Sequence, residues 1–396
     1  MPDVRREVFL IKIRRVLSKP WALFWHILYA SLDLALAIAG LFLRARRCDT
    51  FLIIRLDGIG DFTLFRNFIR VIRQSPKYSA LEMVLLGNEF FRTLTEYLDG
   101  AFINKFIWID VNKYRRRSIS SLWYTFFFDL QMRKIHYHSV FCPVFSRTHS
   151  CDELVRNMRA DHKITCSGDI ANKFKSKDIT ARVYTDIILT DPQPGVFEFD
   201  RHREIISKLL CEKIELDYPI IEKLPEYTGR SLPPEYIAVC MEASLECKKW
   251  PDEHFSQVID YILNSKKLPV VLLGLDDSAV FADARIINLR GKTTLPEAAC
   301  VLNKASCFIG NDSALLHIAA ASGIKKLIAV CYGAYYGRFA PYPEIKGRDY
   351  RFIFPPEISQ NQHKPDYLKM KYANSLYEDI KLIKPEQVID ALDSLV

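Results

Sequence analysis

Short apolar runs alternate along this chain with stretches whose apolar residues recur at helical spacing, and the alternation starts afresh once. Phe51–Arg55 is apolar and β-branched, Gly58 and Gly60 follow as a turn, and Phe62, Phe65, Phe68, Ile69 and Ile72 recur with a helical period. The same reading predicts strands at Leu81–Leu86, Phe106–Ile109 and His138–Phe145, with helices at Asn88–Leu98 and Leu122–Leu130. Between about Thr190 and Glu235 the periodicity weakens and prolines gather, at Pro192, Pro194, Pro219, Pro225, Pro233 and Pro234. One helix, Arg201–Cys211, interrupts that zone, and a domain boundary is expected at its far end.

The second series predicts a strand at Tyr236–Met241, a helix at His254–Asn264, strands at Pro269–Leu273 and Ile286–Leu289, and a helix at Leu295–Leu302. A further apolar run ends at Ile309, Gly310 is read as a turn, the run Ala314–Ser322 as a helix, and Lys326–Tyr332 as a strand. Strand and helix alternation of this kind predicts an α/β fold of two Rossmann-like, doubly wound domains facing across a cleft. The expected division is a helical arm at 1–49, a first domain at 50–212 and a second at 213–396.

The arm has a different pattern. Trp21–Leu43 is almost wholly apolar and follows Pro20 at a helix start, long enough to cross a bilayer. His26, Asp33 and Gly40 interrupt it every seventh residue, with Ala30 and Ala37 between, so one face carries a polar and small stripe. Lys12, Arg14, Arg15 and Lys19 precede the run and Arg44, Arg46 and Arg47 follow it. Basic flanks on both sides fit a helix lying in, or re-entering, the cytoplasmic leaflet among anionic lipids better than a simple span. The alternatives are a helix packed on its own domain or on a partner through the 26/33/40 stripe, and a true transmembrane span.

Composition adds exclusions. With 396 residues there is room for two α/β cores, and the ten cysteines are scattered, with no C-x-x-C pair and no Cys/His cluster at zinc spacing. That points to a reducing compartment and to no metal site. Of the net +8, residues 1–50 supply +5, nine Lys/Arg against four Asp/Glu. The charge therefore belongs mainly to the arm, and no nucleic-acid partner is expected.

Candidate chemistry collects at predicted strand ends. Asp312, Ser313, Ala314 and Leu315 open a helix whose free amides and dipole suit a phosphate, and His317 lies one turn further on the same face. Lys248, in the loop after the strand 236–241, is a cation that can reach a diphosphate, and Asp276 or Asp277 can accept from ribose hydroxyls. Asp61 sits at the mouth of the first helix and reads either as a helix cap or as a general base. G-x-G-x-x-G is not met, because Thr63 stands where the third glycine would be, so a dinucleotide site is discounted. The run Lys113–Arg117, with Arg115 and Arg116, and the pair Arg147 and His149 read either as solvated loops or as holders of an acidic acceptor.

Five ordered blocks resemble glycosyltransferase family 9, the ADP-heptose:lipopolysaccharide heptosyltransferase type, over about residues 51–345: IIRLDGIGD, KKWPDEHF, VVLLG, INLRGKTTLPEAA and GNDSALLHIAAASG, followed by Gly337, Phe339, Pro341 and Tyr342. The resemblance implies a GT-B fold, a nucleotide-sugar donor held mainly by the second domain, an acceptor held by the first, and inverting transfer with neither metal nor cofactor. It implies Asp61 as the general base, Lys248 as a neutraliser of donor phosphates, and Asp312, Ser313, Leu315 and His317 as the donor-facing turn. Two departures, Ala314 where the family usually has glycine and Glu242-Ala243-Ser244 in place of a glycine-rich start, leave ADP-heptose as one candidate donor and not an assumption. The expected partners are a nucleotide sugar, a lipopolysaccharide-core or related lipid-linked glycan, and the anionic cytoplasmic face of the inner membrane. The rival expectations are a nucleotide-sugar epimerase on the same fold and a nucleotide-sugar-binding scaffold without catalysis.

Overall fold

The computed structural model describes residues 4–168, 177–275 and 282–396, with the side chains of 4–19 and 177–179 left aside. The side chains of the flank residues Lys12, Arg14, Arg15 and Lys19, and the candidates Asp276 and Asp277 altogether, lie outside what is described.

In chain order the elements are α1 (Val4–Phe42), β1 (Arg46–Arg55), α2 (Ile59–Phe65), α3 (Asn67–Gln74), β2 (Glu82–Asn88), α4 (Arg92–Asp99), β3 (Lys105–Ile109), α5 (Ile119–Met132), β4 (Ile135–Cys142), α6 (His149–Asn157), β5 (Arg159–Cys166), α7 (Lys177–Val183), β6 (Asp186–Ile188) and α8 (Glu198–Leu210). Then follow β7 (Ile237–Cys240), α9 (Asp252–Tyr261), β8 (Val270–Leu272), β9 (Ile286–Asn288), α10 (Leu295–Lys304), β10 (Cys307–Asn311), α11 (Ala314–Ser322), β11 (Lys326–Val330), β12 (Asp349–Ile353), α12 (Pro356–Gln360), α13 (Pro365–Lys371) and α14 (Pro385–Leu395).

Two six-stranded parallel sheets result, in the orders β3-β2-β1-β4-β5-β6 and β12-β11-β10-β7-β8-β9. These are one topology used twice, and each order reverses at a single seam, between β1 and β4 in the first sheet and between β7 and β10 in the second. Loops leaving strand ends at such a seam splay apart, which opens a crevice there. The central strands are buried on both faces, as Phe51–Ile54 and Ile237–Cys240 are, and this is why they read as continuous apolar runs without alternation.

The domains are not loosely tethered. One apolar cluster takes in Phe62, Phe65 and Phe68 from the first and Leu315, Leu316 and Ile318 from the second. The proline-rich connection is strapped to both: Asn67 exchanges side-chain hydrogen bonds with the Ile220 backbone at 2.8 and 3.0 Å, and Ile221 N donates to the Ala321 carbonyl at 2.7 Å. Arg66, paired with buried Asp99 at 2.8 Å, adds a bond to the Ile220 carbonyl at 2.7 Å.

One expectation is corrected here, and one alternative is met in part. Gly310 does not turn the chain: it lies within β10, where a Cβ would meet the Phe308 ring at 2.6 Å and the Cys240 carbonyl at 3.0 Å, so it is needed for close strand packing and the turn falls at Asp312 and Ser313. The polar stripe of α1 is divided: packing on its own domain is met at Asp33 and Gly40, while His26, Ala30 and Ala37 are exposed. Asp33 Oδ1 accepts from Arg115 at 2.5 Å and Asn157 Nδ2 at 3.1 Å, Gly40 packs on the Arg133 guanidinium, and Trp25, Leu32 and Leu36 are buried.

Candidate active site

The first domain contributes the turn after β1. Arg55 ends the strand fully buried, pairs with Asp57 at 2.5 Å, lies over the Phe65 ring at 4.3 Å, and donates to the Asp61 carbonyl at 3.1 Å. Asn88 Nδ2 also ties down the Asp57 carbonyl at 3.0 Å, so the turn is held from both sides. Asp61 falls in the first turn of α2, half-buried, with Gly58 and not Asp61 at the N-cap position. The cap alternative is thereby removed for Asp61, since Gly58 stands at that position and no side chain makes a capping bond.

The second domain contributes the turns after β7 and β10. Asn311, at the end of β10, is fully buried; its Oδ1 accepts from Trp250 N at 3.1 Å and its Nδ2 donates to the Met241 carbonyl at 2.7 Å. Both ends of the loop 241–250 are therefore fixed to one side chain. That loop carries Lys248, whose Nζ lies 3.4 Å from Asp312 Oδ2 and 5.0 Å from the centre of the Tyr332 ring. Burial alone would lower its pKa, yet Asp312, Tyr332 and Asp61 together outweigh it and the ammonium is pushed up to about 12. Ser313 stands at the N-cap of α11 in extended backbone, with no side-chain capping bond, and Ala314 and Leu315 begin the helix. These first amides are the donors a bound anion can use.

The two turns meet at Gly60 and His317. A Cβ on Gly60 would stand 2.5 Å from His317 Cδ2, so the imidazole is packed against bare backbone of the other domain. His317 is buried, its Nδ1 lies 2.7 Å from the Tyr342 hydroxyl, and burial brings its pKa down to about 4. At neutral pH it is an uncharged hydrogen-bonding group.

Asp61, next in sequence to that contact, lies among charges from both domains. Burial pushes its carboxyl above the usual range and the Glu198 carboxylate adds to this, while Arg338, Arg55 and Lys248 oppose. Glu198 and Arg338 form a pair between the domains: Nε and Nη2 of Arg338 donate to the two carboxylate oxygens at 2.7 and 3.1 Å, Nη1 donates to Ser146 Oγ at 2.7 Å, and Glu198 N donates to the Arg338 carbonyl at 2.9 Å. Although burial raises a carboxyl, the Arg338 guanidinium and its neighbours hold Glu198 at about 2.

Asn311 is read in the sequence as an N-cap oxygen and instead ends β10 with its side chain on the loop 241–250, whereas Glu198 and Arg338 carry no such reading. Their signal was weak, because a glutamate opening a helix and an arginine in a loop are ordinary, and only the docking of the domains pairs them.

The expected acceptor arginines divide. Arg115 is buried in a network with Asp33, Asp129 and Glu153, and so ties α1 to the first domain instead of facing a ligand. Arg147 is also interior, donating to Asp152 at 3.0 Å and to the Cys166 carbonyl at 2.8 Å. Both corrections have one cause: a guanidinium with five donors is satisfied by carboxylates and carbonyls within the fold. Arg116 is exposed, with Nε on the Val111 carbonyl at 3.3 Å, and His149 is exposed beside Glu153.

Residues 211–347 match the model of glycosyltransferase family 9 (heptosyltransferase). The chain is 29% identical over 160 residues to lipooligosaccharide heptosyltransferase 2 of Haemophilus ducreyi, which covers 38% of this chain and 44% of that protein. It is 28% identical over 160 residues to lipopolysaccharide heptosyltransferase 2 of Salmonella typhimurium, covering 38% and 43%. The alignments thus span less than half of those relatives. The family 9 glycosyl transferase of Veillonella parvula superposes with a TM-score of 0.62 at 18% identity, over 89% of this chain and 99% of that one. E. coli heptosyltransferase WaaC with ADP-2-deoxy-2-fluoro heptose gives 0.61 at 17%, over 89% and 100%. These superpositions bear out the expected two-domain fold, and the sequence matches bear out the resemblance to the family.

Proposed function

Taking the chain as a relative of glycosyltransferase family 9, heptosyltransferase-like in its second domain, we propose that it transfers a sugar from a nucleoside diphosphate to a hydroxyl of a lipopolysaccharide-core or related lipid-linked glycan. The observation that carries this is the juxtaposition at Gly60 and His317. It sets a half-buried carboxylate of one domain beside the Lys248, Asp312 and α11 turn of the other.

In the proposed reaction the donor diphosphate lies on the first amides of α11 and near Lys248. As the bond from the anomeric carbon to phosphate oxygen breaks, the charge left on the nucleoside diphosphate is met by groups already in place. The acceptor hydroxyl attacks the anomeric carbon from the opposite side, so the configuration inverts, and its proton passes to the Asp61 carboxylate. No step as written calls for a metal. The raised Asp61 pKa brings the base nearer to neutral pH, and closure of the site limits hydrolysis of the donor.

The likeness to a lipooligosaccharide heptosyltransferase 2 and to a heptosyltransferase with ADP-2-deoxy-2-fluoro heptose supports heptose as the sugar and ADP as the nucleotide to test first. A helix long and apolar enough to enter a membrane supports work at the cytoplasmic face of the inner membrane, where an amphiphilic acceptor would be held.

The test is a thermal-shift screen of nucleotide sugars, since a ligand that binds only the folded state raises Tm by mass action. It is followed by transfer to a lipid-linked acceptor with the best ligand. A panel in which no nucleotide sugar shifts the melting would refute the reading.

A further inference from the structure

Helices α1 and α5 lie side by side with Asp33, Ser121, Thr125 and Asp129 turned inward, while His26, Ser31, Ser120 and Gln131 are exposed. Asp33 of α1 accepts from Arg115, Arg156 and Asn157, and the Tyr29 hydroxyl donates to the Arg116 carbonyl at 2.6 Å. On α5, Ser121, Thr125 and Asp129 are buried, with Asp129 accepting from the Tyr114 hydroxyl at 2.9 Å and from Asn157 at 3.0 Å.

The outward faces are mainly apolar. Leu23, Ile27, Leu34, Ile38 and Leu41 along α1, and Ile119, Trp123 and Phe127 along α5, are each more than half exposed. Between Trp21 and Leu43 the sequence holds one charged residue, Asp33, and it points in. A helix on a water-facing surface puts its polar side outward. This pair turns its charged residues inward, and a patch of that extent marks an interaction site.

We infer that the joint outer face of α1 and α5 seats in the boundary between headgroups and acyl chains of an anionic bilayer, with both helices in the membrane plane and the Ile119, Trp123, Phe127 ridge forming its second half. Charge supports this occupant. Tyr29 meets Arg116 near the start of α5 and Gly40 meets Arg133 at its end, so the helices run parallel. Exposed Lys113, Arg116 and Arg117 lie before the α5 ridge, beside the middle of α1, and Arg44, Arg46 and Arg47 lie beyond the other end. Cations at both ends suit lipid phosphates at the level of the interface. In a two-fold pairing of this face with a second copy, the same cations would meet their like. A full span is disfavoured by Trp25, Leu32 and Leu36, which are buried against the domain and withhold one side of α1 from lipid.

The inference deepens the membrane association proposed above. It is read by lipid binding and not by transfer, so a failure of either leaves the other standing.

The test is flotation of the full-length protein with vesicles of phosphatidylcholine mixed with phosphatidylglycerol. Wild type should float. Trp123→Ser with Phe127→Ser should lower the bound fraction by about tenfold or more, with unchanged circular dichroism and thermal melting, because both side chains point outward. Leu34→Ser with Ile38→Ser, on the other helix, should do the same. The inference is overturned if wild type stays unbound or if the α5 variant floats as wild type does. It is equally overturned if sedimentation shows a dimer that the α5 variant splits while vesicles are ignored.

Discussion

Arg338 grips Glu198 with two hydrogen bonds, at 2.7 and 3.1 Å, and the two residues come from different domains. Each also acts on Asp61, the glutamate raising its pKa and the arginine lowering it. The same pair therefore joins the domains and adjusts, on top of the larger effect of burial, the proton affinity of the proposed base.

A consequence is a pH profile that moves in opposite directions with the two partners. The proposed base works deprotonated, so kcat/KM should rise with pH through the Asp61 pKa, which lies above the usual aspartate range. Glu198→Gln should shift that rising limb to lower pH, and Arg338→Met should shift it to higher pH. Rate profiles of both variants check this, and a limb that moves the same way in both would show that neither acts through Asp61.

Asp61→Asn keeps the size of the side chain and removes its basicity. Nucleoside diphosphate binding should stay within about twofold while transfer falls by about a thousandfold or more, judged from what a positioned base contributes. Calorimetry alongside single-turnover transfer separates the two, and equal losses in both would assign Asp61 to the fold.

Lys248 is charged and half-buried, held by Asp312 at 3.4 Å and by a loop that Asn311 pins at both ends. Lys248→Ala should weaken nucleoside diphosphate binding by about ten- to a hundredfold, the scale of one charge-assisted contact. Asn311→Ala should weaken it in part without touching the charge, since the loop loses its tether. Unchanged affinity in both variants by calorimetry would remove this loop from the donor site.

Position 60 admits no side chain while His317 keeps its place. Gly60→Ala should cost about 1–3 kcal/mol of stability, the usual penalty for an extra methyl in a packed contact. It should also reduce transfer more than donor binding, because it levers the domains apart. Pairing it with His317→Ala should restore the melting temperature in part, and the double variant melting lower than the sum of its singles would argue against this contact.

Asp33 is a charged link between α1 and the first domain. Asp33→Ala leaves the buried Arg115 with Asp129 and Glu153 as partners, and should cost about 2 kcal/mol, below the penalty for a wholly orphaned charge. Urea denaturation measures it. For the same reason, truncation before β1 is expected to lower stability as well as membrane binding.

What the sequence by itself determined is the order of elements and the residues at strand ends. Two series of buried strands were legible because parallel strands covered on both faces must be apolar throughout, and α11 was legible to the residue because an N-cap position and a glycine at its end, Gly323 at φ 94°, bound it. Short or polar strands such as β5, β6 and β12 gave too little apolar contrast to be read. Only the tertiary structure decided which charges are sites and which are struts. Arg115 and Arg147 look like Arg116 in a sequence, but burial satisfied two of them with partners far along the chain. The same holds for Glu198 with Arg338, and for Gly60 with His317. Each is a contact between domains, and local pattern carries no term for the distance across a cleft.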